Sequence, residues 1–197
     1  DGSAVDVAYG ELGVAAFAYE VGNTFFEPCA AFEGHVAPDN IASLLYLGRH
    51  ARAPYLSGSG PDPLNIQADT STVASLVLSA RLDDTRYSNL EGNEPTHAIA
   101  AAQAYIDIAP WEPGAVALPL LPMDGSFNSP VEDVQATFDL SRLDVGQHIV
   151  YITGTDSCGA TGAPDASFFT VEKLSYEEML AQWPLGVTVL QLLNALQ

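Results

Sequence analysis

From Leu64 to Val171 the sequence is written in short period-two runs with turn residues between them. Val73, Ser75, Val77 and Ser79 alternate within Thr72 to Asp83, a spacing that gives a strand one face for a core and one for water. Ala102, Ala104, Ile106 and Ile108 share a face of Ala98 to Ile108, and Val134, Ala136 and Phe138 share one in Val131 to Leu140. In His148 to Thr155, Ile149, Tyr151 and Thr153 oppose Val150, Ile152 and Gly154. Asn65 to Ala68, Val116 to Leu121 and Ala166 to Val171 complete a set of about seven strands over ~110 residues, the profile of an immunoglobulin-like β-sandwich. The Pro-limited run Val116 to Leu121 reads as an edge strand, and Trp111 as a plug at the core or edge.

The texture ahead of Leu64 is different. Ser57-Gly58-Ser59-Gly60-Pro61-Asp62-Pro63 is rich in residues that break regular structure and reads as a linker. Before it, Ala37-Pro38-Asp39 opens a helix whose Ile41, Leu44, Leu45, Gly48 and Ala51 fall on one face. Arg49, His50 and Arg52 sit in its last turn, where positive charge suits the helix dipole, with His50 exposed. Pro54 stops it. Earlier still, the apolar run Ala15 to Tyr19 ends in Glu20, the pattern of a strand that carries one carboxylate to the lip of a sheet. Phe25, Phe26 and Pro28 read as an aromatic loop over the sheet edge. One strand and one helix cannot bury each other's apolar faces, so residues 1–56 call for the rest of an α/β domain, on this or another chain, or for some other surface to pack on. Leu174 to Gln197 reads as a short helical segment, capped by Ser175, broken at Pro184 and Gly186, and suited to docking on the sandwich or a partner chain. The expected organisation is therefore mixed: residues 1–56 as the end of an α/β domain, 57–63 as a linker, 64–173 as an all-β sandwich, and 174–197 as a helical terminus.

Charge narrows the partners. Asp and Glu number 25 against 6 Lys and Arg, a formal net charge of −19, and Lys173 is the sole lysine. Such a surface repels nucleic acid and anionic lipid and favours divalent cations and basic partners. No apolar run reaches the ~18 residues that a membrane-spanning helix needs.

The order Asp6-Val7-Ala8-Tyr9-Gly10, Gly13-Val14 and the apolar run to Glu20 resembles the C-terminal end of the catalytic domain of M14-family zinc carboxypeptidases. There, an Asp-Trp-Ala-Tyr-Gly-like turn leads into a central strand that finishes Phe-Thr-Phe-Glu. The resemblance runs on through the helix after Pro38. ASLVLSARLDDTR, EPTHAIAAAQAYID and DGSFNSPVEDVQATFDLSRLDVGQHIVYITGTDSCG are similar to the sandwich domain appended to some secreted bacterial members. It covers residues 1 to about 172 and is most specific over residues 2–33. It implies that Glu20 is the general base/acid, that Val5 floors the specificity pocket and that Ala18 lines it. Val5 equally fits a plain apolar turn residue. The chain departs from the family at Val7, where Trp is usual, and at Tyr19, where Phe is usual. The family's zinc is held by His-x-x-Glu and a distant His, and none of His35, His50, His97 and His148 has Glu at the third position after it. The resemblance thus implies the C-terminal portion of a secreted enzyme that removes C-terminal residues from peptides, with its zinc ligands outside this sequence. The isolated chain would be inactive. The alternative is a non-enzymatic extracellular binding or assembly module built on the sandwich.

Within the sandwich, Asp83, Asp84, Asn89, Glu91, Asn93 and Glu94 crowd one inter-strand loop, with Asp107 ending the next strand. Calcium takes six to eight oxygen ligands in flexible geometry, and such a loop could supply them. A solvated acidic loop fits the same residues. Asp156 and Asp165 form a weaker second cluster. His97 is expected at the surface and His148 as a satisfied rim or core histidine. Cys29 and Cys158 could pair with each other, and Cys29 could equally pair with a cysteine outside this sequence.

Overall fold

A computed structural model describes residues 3–72, 75–85 and 95–172. The helical reading of 174–197, and Asn89, Glu91, Asn93 and Glu94 of the acidic loop, lie outside the described residues. Seven strands are described: β1 Asp62–Thr72, β2 Ser75–Asp83, β3 Ile99–Ile106, β4 Leu118–Pro122, β5 Val131–Asp139, β6 Gly146–Asp156 and β7 Asp165–Val171. All pairings are antiparallel, in the order β1-β2-β5-β4-β3-β6-β7. The result is nearly closed, because β1 and β7 approach each other at the two ends of that order.

The period-two pattern sets the core. In β2 the buried side is Leu76, Leu78, Ala80 and Leu82. Val77, on the face that the apolar alternation from Val73 suggested, points outward. Leucines win the inside because they bury more apolar area than the small polar residues that share a face with Val77. Val134 of β5, Ala102 and Ala104 of β3, Leu120 of β4, Val150 and Ile152 of β6 and Phe169 of β7 pack against them in one cluster. Ala136, Phe138 and Ile106 flank the cluster as expected, while Ile108 lies beyond the end of β3 and is exposed.

β4 is not an edge strand. It lies between β5 and β3 and joins the two halves of the sheet. Leu118, Pro119 and Leu120 pair with β3, and Leu121 and Pro122 pair with β5. Each half of the strand serves one ladder, so Pro119 never needs to serve two.

The segment ahead of the sandwich departs furthest from expectation. Ser3 and Asp6 form a capping box on α1, Ala4–Asp6, which widens into a π turn over Val7–Glu11. Residues 13–21 form no strand: an extended segment needs a neighbour for its backbone groups, and none of the described strands pairs with it. Phe25 and Phe26 cover no sheet edge and are fully exposed. Helical structure starts well before Ala37, with α2 at Cys29–Ala31, a π turn at Phe32–Val36 and then α3 at Ala37–His50. Pro38 lacks an N–H and its ring crowds the carbonyl four residues back, which accounts for the widened turn before it.

α3 also sits on the sandwich by a different face. Ile41, Leu44 and Leu45 are exposed, whereas Tyr46 and Leu47 are half-buried and His50 is buried. His50 is therefore not an exposed last-turn residue. Pro54 ends the helix and turns the chain back, so that Ser57 donates to the Ala53 carbonyl at 2.9 Å and meets His50 Nδ1 at 2.9 Å. Arg49 donates to the Pro164 carbonyl at 3.3 Å and faces Asp62 at 3.8 Å and Asp165 at 3.6 Å. Arg52 lies over Trp111, whose ring meets Tyr151 edge-on, so Trp111 plugs the seam between helix end and sandwich.

The Gly-Pro stretch is likewise no free linker. Asp62 and Pro63 belong to β1, and Ser57, Pro61, Asp62 and Pro63 are buried. The backbones of Gly60 and Pro61 run against Thr161 and Gly162, and a Cβ on Gly162 would overlap the Pro61 carbonyl oxygen. Glycine is required there by close backbone approach. We therefore expect Gly162→Ala to destabilise the fold by about 1–3 kcal/mol, measured by urea unfolding, with Gly58→Ala as a control whose added Cβ meets open space and no left-handed backbone. An unchanged midpoint for Gly162→Ala would contradict the contact.

Candidate metal centre

Glu20 is exposed, beside a shallow surface formed by residues 19–25. Val5 is half-buried and Ala18 is exposed, and neither lines that surface with Glu20. His35 is exposed, and the other three histidines belong to other networks. Among the described residues, therefore, no histidine stands with Glu20 to make a zinc site. Cys29 and Cys158 are both free thiols at the surface.

The chemistry concentrates instead at one end of the sandwich. β2 ends at Asp83 and runs into Asp84, β6 ends at Asp156, and the chain enters β3 through His97. Ile99 pairs with Asp156, which sets His97 beside the β6 terminus. Asp84 Oδ2 accepts the His97 backbone N–H at 2.6 Å, and Asp84's own N–H donates to the Pro130 carbonyl at 2.9 Å. Asp156 Oδ1 accepts the backbone N–H groups of Cys158 at 2.9 Å and Ala160 at 2.8 Å. Its other oxygen, Oδ2, lies 3.2 Å from His97 Nδ1. Asp84, His97 and Asp156 each offer a ligand atom, all within 4.8 Å of one another. They border a cavity of about 200 Å³ that Tyr46, Ser59 and Asp62 also line. Burial pushes the Asp84 carboxyl above its ordinary pKa, the His97 amide bond opposes that, and the nearby Asp156 charge reinforces it.

This arrangement regroups the residues singled out in the sequence. Asp83 lines the same cavity, but its Oδ1 accepts from both the backbone and hydroxyl of Thr85, and it is not among the three residues whose ligand atoms converge. Asp156 and Asp165 do not form a cluster: Asp165 pairs with Arg49 while Asp156 joins Asp84. His97 is a partner of two carboxylates rather than a plain surface residue. Its role depends on the β3–β6 pairing, which local sequence does not announce.

Two other histidine networks bear on chemistry. Ser57, His50 and Asp62 have the residue types of a hydrolytic triad, yet the Ser57 hydroxyl is buried and spends its proton on the Ala53 carbonyl. Burial also holds His50 below its ordinary pKa, against the pull of Asp62. The network pins α3 and leaves no nucleophile.

His148 fulfils its rim reading. Its Nδ1 lies 2.7 Å from Asp107 Oδ2 and its Nε2 lies 2.8 Å from the Asp144 carbonyl oxygen. The Asp107 hydrogen bond raises the His148 pKa. Asp107 adopts a left-handed backbone conformation, φ 60°, that Asn also tolerates. A histidine whose folded pKa lies above its unfolded value, ~6.5, contributes stability fully present below that value and lost as pH rises through the folded pKa. Asp107→Asn should thus lower stability more at pH 5.5 than at pH 8.5, as read by urea unfolding at both. Equal losses would contradict the charged pair.

No protein-family profile and no curated protein matches the chain. Among solved structures, it is similar to wild-type OgpA from Akkermansia muciniphila in two crystal forms, each at 11% identity and TM-score 0.39. Those alignments cover 58% of this chain and 28% or 29% of OgpA. It is also similar to BA0330 from Bacillus anthracis, a proposed polysaccharide deacetylase, at 16% identity and TM-score 0.36 over 57% of this chain and 31% of that one. The chain thus matches less than a third of the length of these proteins, and at such scores the likeness carries no inference about activity.

Proposed function

We propose that this chain is the C-terminal portion of a secreted zinc metallocarboxypeptidase. Residues 1–56 complete its catalytic domain, Glu20 acts as general base/acid in removing C-terminal residues from peptides, and the sandwich is an appended domain. The observation that carries this reading is the uncovered apolar surface of the first segment. Val14, Phe17, Phe25, Phe26, Ile41, Leu44 and Leu45 are all exposed, although the sandwich behind α3 has a filled core. So many large apolar side chains exposed in one segment suit a covered position against a partner. The run from Val14 to Glu20 has the composition of a buried strand but finds no sheet here. An α/β catalytic domain supplied by further polypeptide would offer both the missing ladder and the missing cover.

The residues of this chain do not fit the peptidase zinc, since no histidine accompanies Glu20. Its ligands, and the groups that hold the substrate carboxylate, belong to the rest of that domain in this reading. What Glu20 itself contributes is a carboxylate that takes a proton from the attacking water and returns it to the leaving amine.

A second reading, a non-enzymatic extracellular binding or assembly module, is favoured by a specific observation: the polar groups that are buried and clustered lie in the sandwich, away from Glu20. The two readings separate in one experiment. The chain is produced with the polypeptide that precedes it in its native gene, and hydrolysis of a C-terminal peptide bond is followed. Glu20→Gln should cut kcat by at least about 10²-fold while leaving the unfolding midpoint unchanged. Retained activity in that variant would overturn the role of Glu20. Absence of hydrolysis by the unmutated protein would favour the binding module.

A further inference from the structure

We infer that Asp84, His97 and Asp156 form a binding site for one divalent transition-metal ion of the zinc class, at the end of the sandwich and separate from Glu20. The site is built from two converging features. The first is the donor set: two carboxylate oxygens and one imidazole nitrogen, each within 4.8 Å of the others. The second is a buried carboxylate oxygen aimed into it, which makes no hydrogen bond and meets His97 Nδ1 as an ion-pair neighbour at 3.2 Å. The Asp156 side chain is 1% exposed, and its Oδ2 has no hydrogen-bond partner. Leaving a carboxylate oxygen buried without a partner is costly, and a cation removes the cost directly. His97 Nδ1 is likewise buried and without a hydrogen bond, and it faces the same point.

The supporting bonds hold the ligands in place without using up these atoms. Asp156 is fixed through Oδ1 by two backbone amides from the turn that follows it. Asp84 is fixed by the amide of His97 itself, so two of the three ligands are tied to each other. Ligands braced in this way are characteristic of metal sites. The nitrogen donor and the small ligand number point to zinc-class ions rather than calcium, which prefers six to eight oxygens. Asp83, the acidic neighbour that would enlarge an oxygen cage, gives its Oδ1 to Thr85 and is not among the three residues whose ligand atoms converge. A bound ion would clamp the ends of β2 and β6 to the start of β3. The adjoining cavity reaches Tyr46 and Ser59, so the clamp would also steady the contact with α3.

The competing account is a plain His97–Asp156 ion pair, which has no place for a metal. The test uses the 197-residue chain, which has no His-x-x-Glu and hence no peptidase zinc site to confuse the count. Zn²⁺ and Ca²⁺ are titrated separately by calorimetry, and the thermal midpoint is followed with each ion and with chelator. We expect one Zn²⁺ per chain, a raised midpoint reversed by chelator, and weaker binding of Ca²⁺. His97→Gln and Asp156→Asn should each weaken Zn²⁺ binding by at least about tenfold. The Asn side chain can still accept the Cys158 and Ala160 amides, so the turn is kept. Asp139→Asn, at a carboxylate that closes onto Ser141 and does not line the cavity, should bind Zn²⁺ as the unmutated chain does. No Zn²⁺ binding, tighter binding of Ca²⁺, or full Zn²⁺ affinity in His97→Gln and Asp156→Asn would each overturn the site. None of these outcomes depends on whether Glu20 is catalytic.

Discussion

Carboxylates bonded to backbone amides hold this structure together at its loops. With 25 acidic residues against 6 Lys and Arg, most carboxylates have no side-chain cation to meet. They turn to N–H groups instead. Glu132, buried in β5, accepts the amides of Asn128 and Ser129, and Asp156 accepts those of Cys158 and Ala160. Asp83 closes onto Thr85, Asp139 onto Ser141, and Asp107 onto Ile149. Bonds from a charged acceptor to an amide are stronger than neutral ones, and several of these sit where a strand ends and the chain must turn. An acidic sequence thereby converts its surplus charge into loop geometry.

Three of the scarce cations among the described residues join separate parts of the chain. Arg49 reaches Pro164, Asp62 and Asp165, linking the end of α3 to β1 and β7. Arg81 bridges β2 to Asp133 of β5 with a two-pronged contact at 2.9 and 3.0 Å, and Arg52 covers Trp111. His50 completes the junction from inside, with Ser57 and the Tyr46 ring against it. The last turn of α3 is thus anchored by polar contacts while the helix's apolar face looks away. That division gives the chain two characters: a nearly closed antiparallel sheet whose apolar side chains share one core, and a leading segment whose large apolar side chains are exposed.

Much of the sandwich was legible because period-two alternation is a local signal. Val134 lies inside on the face its spacing marked, Val150 and Ile152 take the inner of the two faces that the β6 alternation left open, and β5, β6 and β7 fall close to their expected bounds. The position of β4 was not legible, since a Pro-limited strand reads as an edge until the pairing shows it joining two halves. Val14 to Glu20 carries a strand pattern but meets no described strand, because alternation alone does not supply the neighbour that a ladder needs. For the site, Asp84 stood out in its acidic loop, but His97 and Asp156 meet it only through the β3–β6 register. Side-chain type announces a donor, whereas topology decides which donors converge.

The division between a self-sufficient sandwich and an uncovered leading segment is tested most directly by amide hydrogen exchange on the isolated chain. The account predicts strong protection across β2, β5 and β6, comparable to global unfolding, and weak protection over residues 12–28 and the first turns of α3. On the proposed reading, a catalytic domain that covers this segment raises protection at residues 14–20 to the level of a central strand. Uniformly high protection from residue 12 onward in the isolated chain would contradict it, for the leading segment would then be stable without a partner.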